Sequence, residues 1–409
     1  MVKPVVRVYQ EDWWPFQNLP HALAEFERQT GIATELSWDK VGVGSIEAMF
    51  EQMLLSFTRD DPPFDLICTD EVMLRHFASE GRVVVLNDLM ARDGVTLDDV
   101  TPETRRAATL AGEVIGLPCC NVCNLLLYRR DLLDRYSLPV PHDWADVKSV
   151  GQDLQTAVRR DGTSDFYGFA TRGAAGGGHA VWAMSSFLAS FGGRWLSDEN
   201  AVAPIGDAHR KALSVYLDLM RSVAPPDQGV ISFVELMRDF RAGRVGMILE
   251  VGNEYANLLR HDPSVAEKAG VALIPAGPAG RRPNLYSPPW SIPTRSKVRD
   301  EAWELAKFLS SPRQLLEDGI RSEAIETSSL SALYSAEFDR HFRADLLGAV
   351  RASRAIAFEE RPFGTLGMDA CAVVGDAVNA AIEGRTNVDG ALNAIHSGLT
   401  MLASRSAKS

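Results

Sequence analysis

The chain has 409 residues, 46% hydrophobic and 23% charged, which suits two or three domains of an ordinary soluble globular protein. Its net charge of −12, with 42 basic against 54 acidic residues and no basic tract, disfavours nucleic acid and anionic membranes as partners. No run approaches the roughly 18 consecutive apolar residues of a membrane span, and five cysteines are too few for a disulfide scaffold.

Met1-Val2-Lys3-Pro4 leads straight into Val5–Tyr9, which reads as a strand. The basic start and apolar run of an export signal are missing, so a cytoplasmic protein and one whose signal was removed both stay open. Gln10-Glu11-Asp12-Trp13-Trp14-Pro15 follows, polar and aromatic at the end of a first strand, where an open α/β sheet collects ligands. Leu19–Thr30 has helical spacing and stops at Gly31. Ala33–Trp38 is a second strand and Ile46–Thr58 a second helix. Gly42-x-Gly44 between them lacks the rest of a dinucleotide fingerprint. Phe64–Cys68 is a third strand, ending at Thr69-Asp70-Glu71. This alternation predicts a parallel sheet with right-handed crossovers.

Gly112–Arg130 predicts two short strands carrying Cys120-Asn-Val-Cys123. A zinc site would need a second ligand pair, and none has the spacing. A redox pair normally opens a helix, whereas this one continues as strand. In an extended chain cysteines three apart lie about 10 Å apart, too far for a disulfide. Buried free thiols are the reading.

Asp131–Tyr136 is a short helix, Ser137–Trp144 a proline-rich turn whose tryptophan plugs the core, and Val147–Arg159 a helix. Tyr167–Thr171 is a strand, followed by a loop with four glycines over Arg172–Gly178 and a helix over His179–Phe191, stopped by Gly192-Gly193. Such a loop could bring free N–H groups to a polar ligand, or its glycines could serve packing alone. Without a Gly-Lys-Ser/Thr ending it is no P-loop. Helices follow over Ala208–Val223 and Val230–Ala242, then a strand, Val245–Leu249, ending at Glu250-Val-Gly-Asn253. Val271–Ile274 is a strand. Asp300–Ser310, Pro312–Ser322, Glu337–Phe358 and Asp369–Leu402 are helical, with Arg361-Pro-Phe-Gly364 between the last two. Trp290 stands between Pro289 and Ile292-Pro293, which argues for a stiff exposed turn rather than a central strand.

The order of these motifs resembles the extracellular solute-binding proteins of bacterial ABC importers, in the carbohydrate branch similar to maltose-binding protein. Glu113–Pro118 through Leu127-Tyr-Arg-Arg-Asp-Leu132 is similar to the family's G-x-x-Y-G-L-P … L-x-Y-N-K-D-L run. Pro141–Trp144 resembles P-K-T-W, Phe187–Trp195 resembles F-x-x-x-F-G-G-x-W, and Phe240–Met247 resembles F-x-x-G-K-x-A-M. Trp290-Ser-Ile-Pro293 with Asp300–Pro312 resembles W-x-I-P … A-W-E-F-x-K-F-L-x-S-P. Cys119-Cys120 departs from the aromatic or polar residues usual there.

The resemblance implies an α/β fold of two lobes, residues 1–118 with 287–328 and residues 119–286 with 329–409. Each lobe would be a mostly parallel sheet flanked by helices, with the ligand cleft between lobes and a hinge that closes on the solute. It implies a non-catalytic, monomeric periplasmic receptor that passes a sugar, polyol or sugar derivative to a permease, with no cofactor, no metal and no nucleic-acid partner. The ligand-binding candidates are Gln10, Trp13, Trp14, Lys40 and Asp70, then Asn121 at the crossing, then Arg172, Gly173, Trp182, Glu250, Asn253 and Arg361, with Trp290 at the return. Aromatic rings would cover sugar faces, and charged groups would bond hydroxyls. Two arginines in one site would favour an acidic sugar if both point inward. A carbohydrate hydrolase using Asp70 and Glu250, or a ligand sensor for a chemoreceptor or kinase, are the alternatives.

Overall fold

The computed structural model describes residues 4–39, 46–197, 201–359, 361 and 364–406. The chain divides into two compact units, Met1–Val122 with Tyr286–Arg343, and Cys123–Leu285 with Ala344–Ser409. The sequence alone places these crossings at 118/119, 286/287 and 328/329.

The first unit is built on a five-stranded sheet in the order Ala33–Asp39, Val5–Glu11, Leu66–Cys68, Pro289–Ser291, Leu117–Pro118. Val5–Glu11 runs parallel to both of its neighbours, as the strand–helix alternation predicts. Gln10 lies opposite Trp38 on one side and Cys68 on the other, so three strands end together at one edge. Helix Leu19–Thr30 covers the sheet with Leu19, Ala22, Leu23 and Phe26, an i, i+3, i+4, i+7 stripe. Three helices that the sequence reading left out, Glu71–Ser79, Asn87–Asp93 and Pro102–Ala107, complete this part of the unit. Each is short, so little periodicity accumulates to announce it.

Pro289–Ser291 runs antiparallel to both of its neighbours. This corrects the expectation for Trp290, which pairs with Cys68 and with Leu117 and is only 2% exposed. The prolines bracket the ladder without interrupting it. Pro289 is the first residue of the strand, where a missing donor is tolerated, and Pro293 lies beyond its end.

The second sheet has five strands, four of them in the order Ala269–Leu273, Val122–Arg129, Val245–Val251, Tyr167–Ala170, with Leu285–Tyr286 paired to Val122–Arg129 off this path. Val122–Arg129 runs against Ala269–Leu273 and Val245–Val251, while Tyr167–Ala170 is parallel to Val245–Val251. Within these linear orders each sheet has one strand opposed to its neighbours. In both it is a strand next to a point where the chain passes between units, not one returned by a βαβ crossover. Helix Trp144–Arg160 starts earlier than its periodicity suggests, because Asp143 caps it by accepting from the Asp146 amide at 2.9 Å. Trp144 is core, stacked on Phe187 at 3.7 Å, with its indole N–H on Ser190 Oγ. Helix Ala180–Ser190 is buried all round, which is why its pattern is apolar on every face.

Two long helical predictions are each broken in two. Glu337–Phe358 is Ala336–His341 and Ala344–Arg354, and Asp369–Leu402 is Gly367–Ile382 and Val388–Ser406. Gly384, with φ +73°, makes the second break. Among the described residues no helix is long and apolar enough to cross a membrane.

Candidate functional site

In the first unit, Gln10 and Glu11 end the central parallel strand, and the chain turns through Trp13 into a 3₁₀ turn, Trp14–Phe16. Pro15 sits in the first turn, where its missing N–H and fixed φ cost nothing. The turn holds the half-buried Trp13 ring 6.4 Å from Trp14, 6.1 Å from Phe16 and 6.2 Å from Tyr286. Gln10 is buried, and among the described residues its Oε1 has no hydrogen-bond partner. Asp70 caps helix Glu71–Ser79 by accepting from the Val72 amide at 2.8 Å. Glu71 is buried and accepts from the Ser287 amide at 3.0 Å. The Tyr286 phenol is held well above its ordinary range, first by burial and then by the negative field of Glu11, Asp70 and Glu71. This end of the unit therefore combines aromatic faces with carboxylates.

Asn121 is buried inside the first unit, where its amide donates to Thr104 Oγ1 and its backbone N–H to Glu326 O at 2.8 Å. Lys40 lies outside the described residues. All five cysteines are buried free thiols. Cys68 and Cys119 Sγ lie 3.4 Å apart, and burial pushes the Cys119 and Cys120 thiols up.

The second unit gathers a different set. Arg172 leaves the end of Tyr167–Ala170 and Glu250 lies near the end of the neighbouring parallel strand, Val245–Val251. The guanidinium grips the fully buried carboxylate with Nε at 3.0 Å and Nη2 at 2.5 Å. Among the described residues its Nη1 has no partner, and the side chain keeps 15% of its surface exposed. Its Cζ lies 5.7 Å from the Trp182 ring and 5.4 Å from the Phe233 ring. Arg361, also buried, lies 5.5 Å from the same indole. It donates through Nη2 to Glu359 at 2.9 Å, and its backbone N–H bonds the same carboxylate at 2.8 Å. One indole thus has two arginines against it, each already neutralised by a buried glutamate. Asn253 is buried in helix Gly252–His261, which begins where Glu250's strand ends.

Gly173 has a packing reason to be glycine. A Cβ there would come within 2.2 Å of the Gln228 carbonyl oxygen. Gly176 packs as tightly, with its carbonyl against Gly375 and its N–H on Asp376 at 2.9 Å. The backbone of Gly173, Ala174 and Gly176 is therefore spent on the protein itself.

Sequence reasoning missed Glu359, Phe233, Glu71 and Tyr286. Glu359 had one available signal, a carboxylate two residues before an arginine in an apolar stretch. Phe233 opens helix Phe233–Arg241 and had none. Among the described residues no group of three His, Cys, Asp or Glu side chains is placed to hold a metal ion.

A sequence profile of bacterial extracellular solute-binding proteins matches residues 17–315. A mannitol-binding protein of Pseudomonas aeruginosa is 25% identical over 252 residues, 61% of this chain and 56% of that protein. The chain spans about half the length of the curated relatives it matches. Among solved structures, an ABC transporter solute-binding protein from Agrobacterium radiobacter K84 in complex with ribitol superimposes with a TM-score of 0.85 at 21% identity, covering 98% of each chain. A maltose-bound protein of T. maritima also gives 0.85 at 21% identity, covering 97% of this chain and 99% of that one.

Proposed function

Because the chain belongs to the bacterial extracellular solute-binding protein family, we propose that it is a non-catalytic receptor that captures an uncharged polyol or sugar for the permease of an ABC importer. The carrying observation is the charge balance around Trp182. Arg172 is neutralised by Glu250 and Arg361 by Glu359, with both carboxylates buried. An anionic sugar would add an unbalanced charge to a desolvated site, which is costly. Hydroxyls ask for less. They can accept from Arg172 Nη1 and donate to carboxylate oxygens, while the rings cover C–H faces. In the first unit Glu11, Asp70 and Glu71 beside Trp13, Trp14 and Tyr286 point the same way, since clustered carboxylates repel an acid. Support also comes from the relatives, one a mannitol-binding protein and one a fold neighbour in complex with ribitol. The permease and the monomeric, periplasmic state belong to the same reading.

A thermal-shift screen with D-mannitol, ribitol, maltose and the matching sugar acids tests it. A ligand at a hundred times its Kd adds about 2.7 kcal/mol to the native state. A neutral polyol or sugar should raise the melting point and emerge intact from prolonged incubation. A rise with sugar acids alone would reject the neutral-ligand reading, and turnover of the ligand would reject the receptor.

A further inference from the structure

Behind the aromatic turn of the first unit lies a cavity lined in part by Pro15, Phe16, Cys120, Trp290, Asp318 and Glu326. Helix Pro312–Ser322 packs against the turn and brings Asp318 to the cavity. One oxygen of Asp318 carries two amides. Oδ1 accepts from Asn18 Nδ2 at 2.6 Å and from Gln314 Nε2 at 2.8 Å. Asn18 is the cap residue of helix Leu19–Thr30, two residues past the end of the 3₁₀ turn. The bond from Asp318 therefore pins the junction on which Trp13 and Trp14 are mounted.

We propose that Asp318 is the positioning residue of the Trp13–Trp14 ligand turn, and that a proton on its carboxyl group tightens the packing of that turn against helix Pro312–Ser322. This rests on the polyol-receptor reading and adds to it a proton-sensitive element outside the ligand contacts. Glu317, on the same helix as Asp318, raises the Asp318 carboxyl, and His21 on Leu19–Thr30 lowers it while facing Glu317 at 3.5 Å. Glu326 and the Cys119 and Cys120 thiols line the same cavity. Asp318 keeps a small accessible edge, yet protein crowds it on nearly every side. That desolvation is the largest cause and outweighs the Asn18 and Gln314 amides, which lower the carboxyl, so the net effect pushes it up to about 6. The packed turn thus prefers the neutral acid. Ionisation favours any arrangement that lets water reach the carboxylate, and this loosens the seat of the turn.

The test is ¹⁹F NMR of fluorotryptophan-labelled, ligand-free protein, titrated from about pH 5 to about pH 7.5, a range that brackets the carboxyl. D-Mannitol and ribitol affinities are measured at both ends. In the wild-type chain the Trp13 and Trp14 signals should move together with a midpoint near pH 6, and polyol affinity should fall roughly three- to tenfold toward the higher pH. Asp318→Asn keeps the acceptor oxygen for Asn18 and Gln314, so it should hold the low-pH signals and the tighter affinity throughout. Asp318→Ala should bind weakly at both ends, and His21→Gln should keep the step. The same step in wild type and Asp318→Asn, or its loss in His21→Gln alone, overturns the proposal. If neither polyol binds, the receptor reading loses its ligands, while the ¹⁹F titration still decides the role of Asp318.

Discussion

The carboxylates at the two candidate regions are held in different ways. In the first, Asp70 and Glu71 accept main-chain N–H groups from Val72 and Ser287. In the second, Glu250 and Glu359 are gripped by the guanidinium groups of Arg172 and Arg361. A peptide N–H stabilises an anion without bringing a full charge, whereas a guanidinium cancels the anion outright. The difference predicts how each region fails.

The largest effects belong to the charge-paired region. Glu250→Ala strands the Arg172 charge beside Trp182 and should cost about 3–5 kcal/mol, read as a lower urea midpoint. The double change Arg172→Met with Glu250→Leu should recover most of that loss, because apolar replacements of buried pairs are often neutral. A double variant as unstable as the single would show that shape, not charge, holds the region.

Trp290 sharpens the contrast with Trp182. It lies in a sheet between Cys68 and Leu117 rather than against cations. Trp290→Ala should cost about 3–5 kcal/mol as a core truncation. Its melting point should drop while the affinity for any identified polyol stays within about threefold. The reverse pattern would return Trp290 to the ligand surface.

A smaller, pH-dependent effect separates Asp318 from the paired glutamates. Its folded value is raised, from 3.8 to about 6, so its stabilising contribution is complete below about pH 3.8 and is lost as pH rises through about 6. Asp318→Asn should therefore match wild type near pH 4 and be more stable at pH 7. The gap should be about 1–2 kcal/mol, below the full linkage value because the carboxyl keeps an accessible edge. Chemical denaturation at the two pH values checks it, and a constant gap would contradict it.

The mildest change is in the region held by N–H groups. Asp70→Ala removes one helix cap and should cost about 1 kcal/mol. If it costs as much as Glu250→Ala, the distinction between the two regions fails.

What the sequence determined alone was local or ordered along the chain. Hydrophobic period and strand–helix alternation located most elements of the first unit, and the collinear order of weak motifs pointed to the family. Helix Pro312–Ser322 was legible residue for residue, because a serine cap, a proline at its start and an apolar stripe agree within a dozen positions. Arg172, Trp182, Glu250 and Arg361 were each visible as candidates, but their pairing was not. Arg172 and Glu250 are 78 residues apart, and only the parallel register of two strands brings them together. That pairing gives each arginine a carboxylate partner, which is the observation behind the neutral-ligand proposal. Trp290 shows the same limit. Prolines on both sides argue locally against a central strand, whereas the strands that flank it come from Leu66–Cys68 and Leu117–Pro118, far away in the chain. Local propensity carries no record of such partners, and burial between them outweighs it.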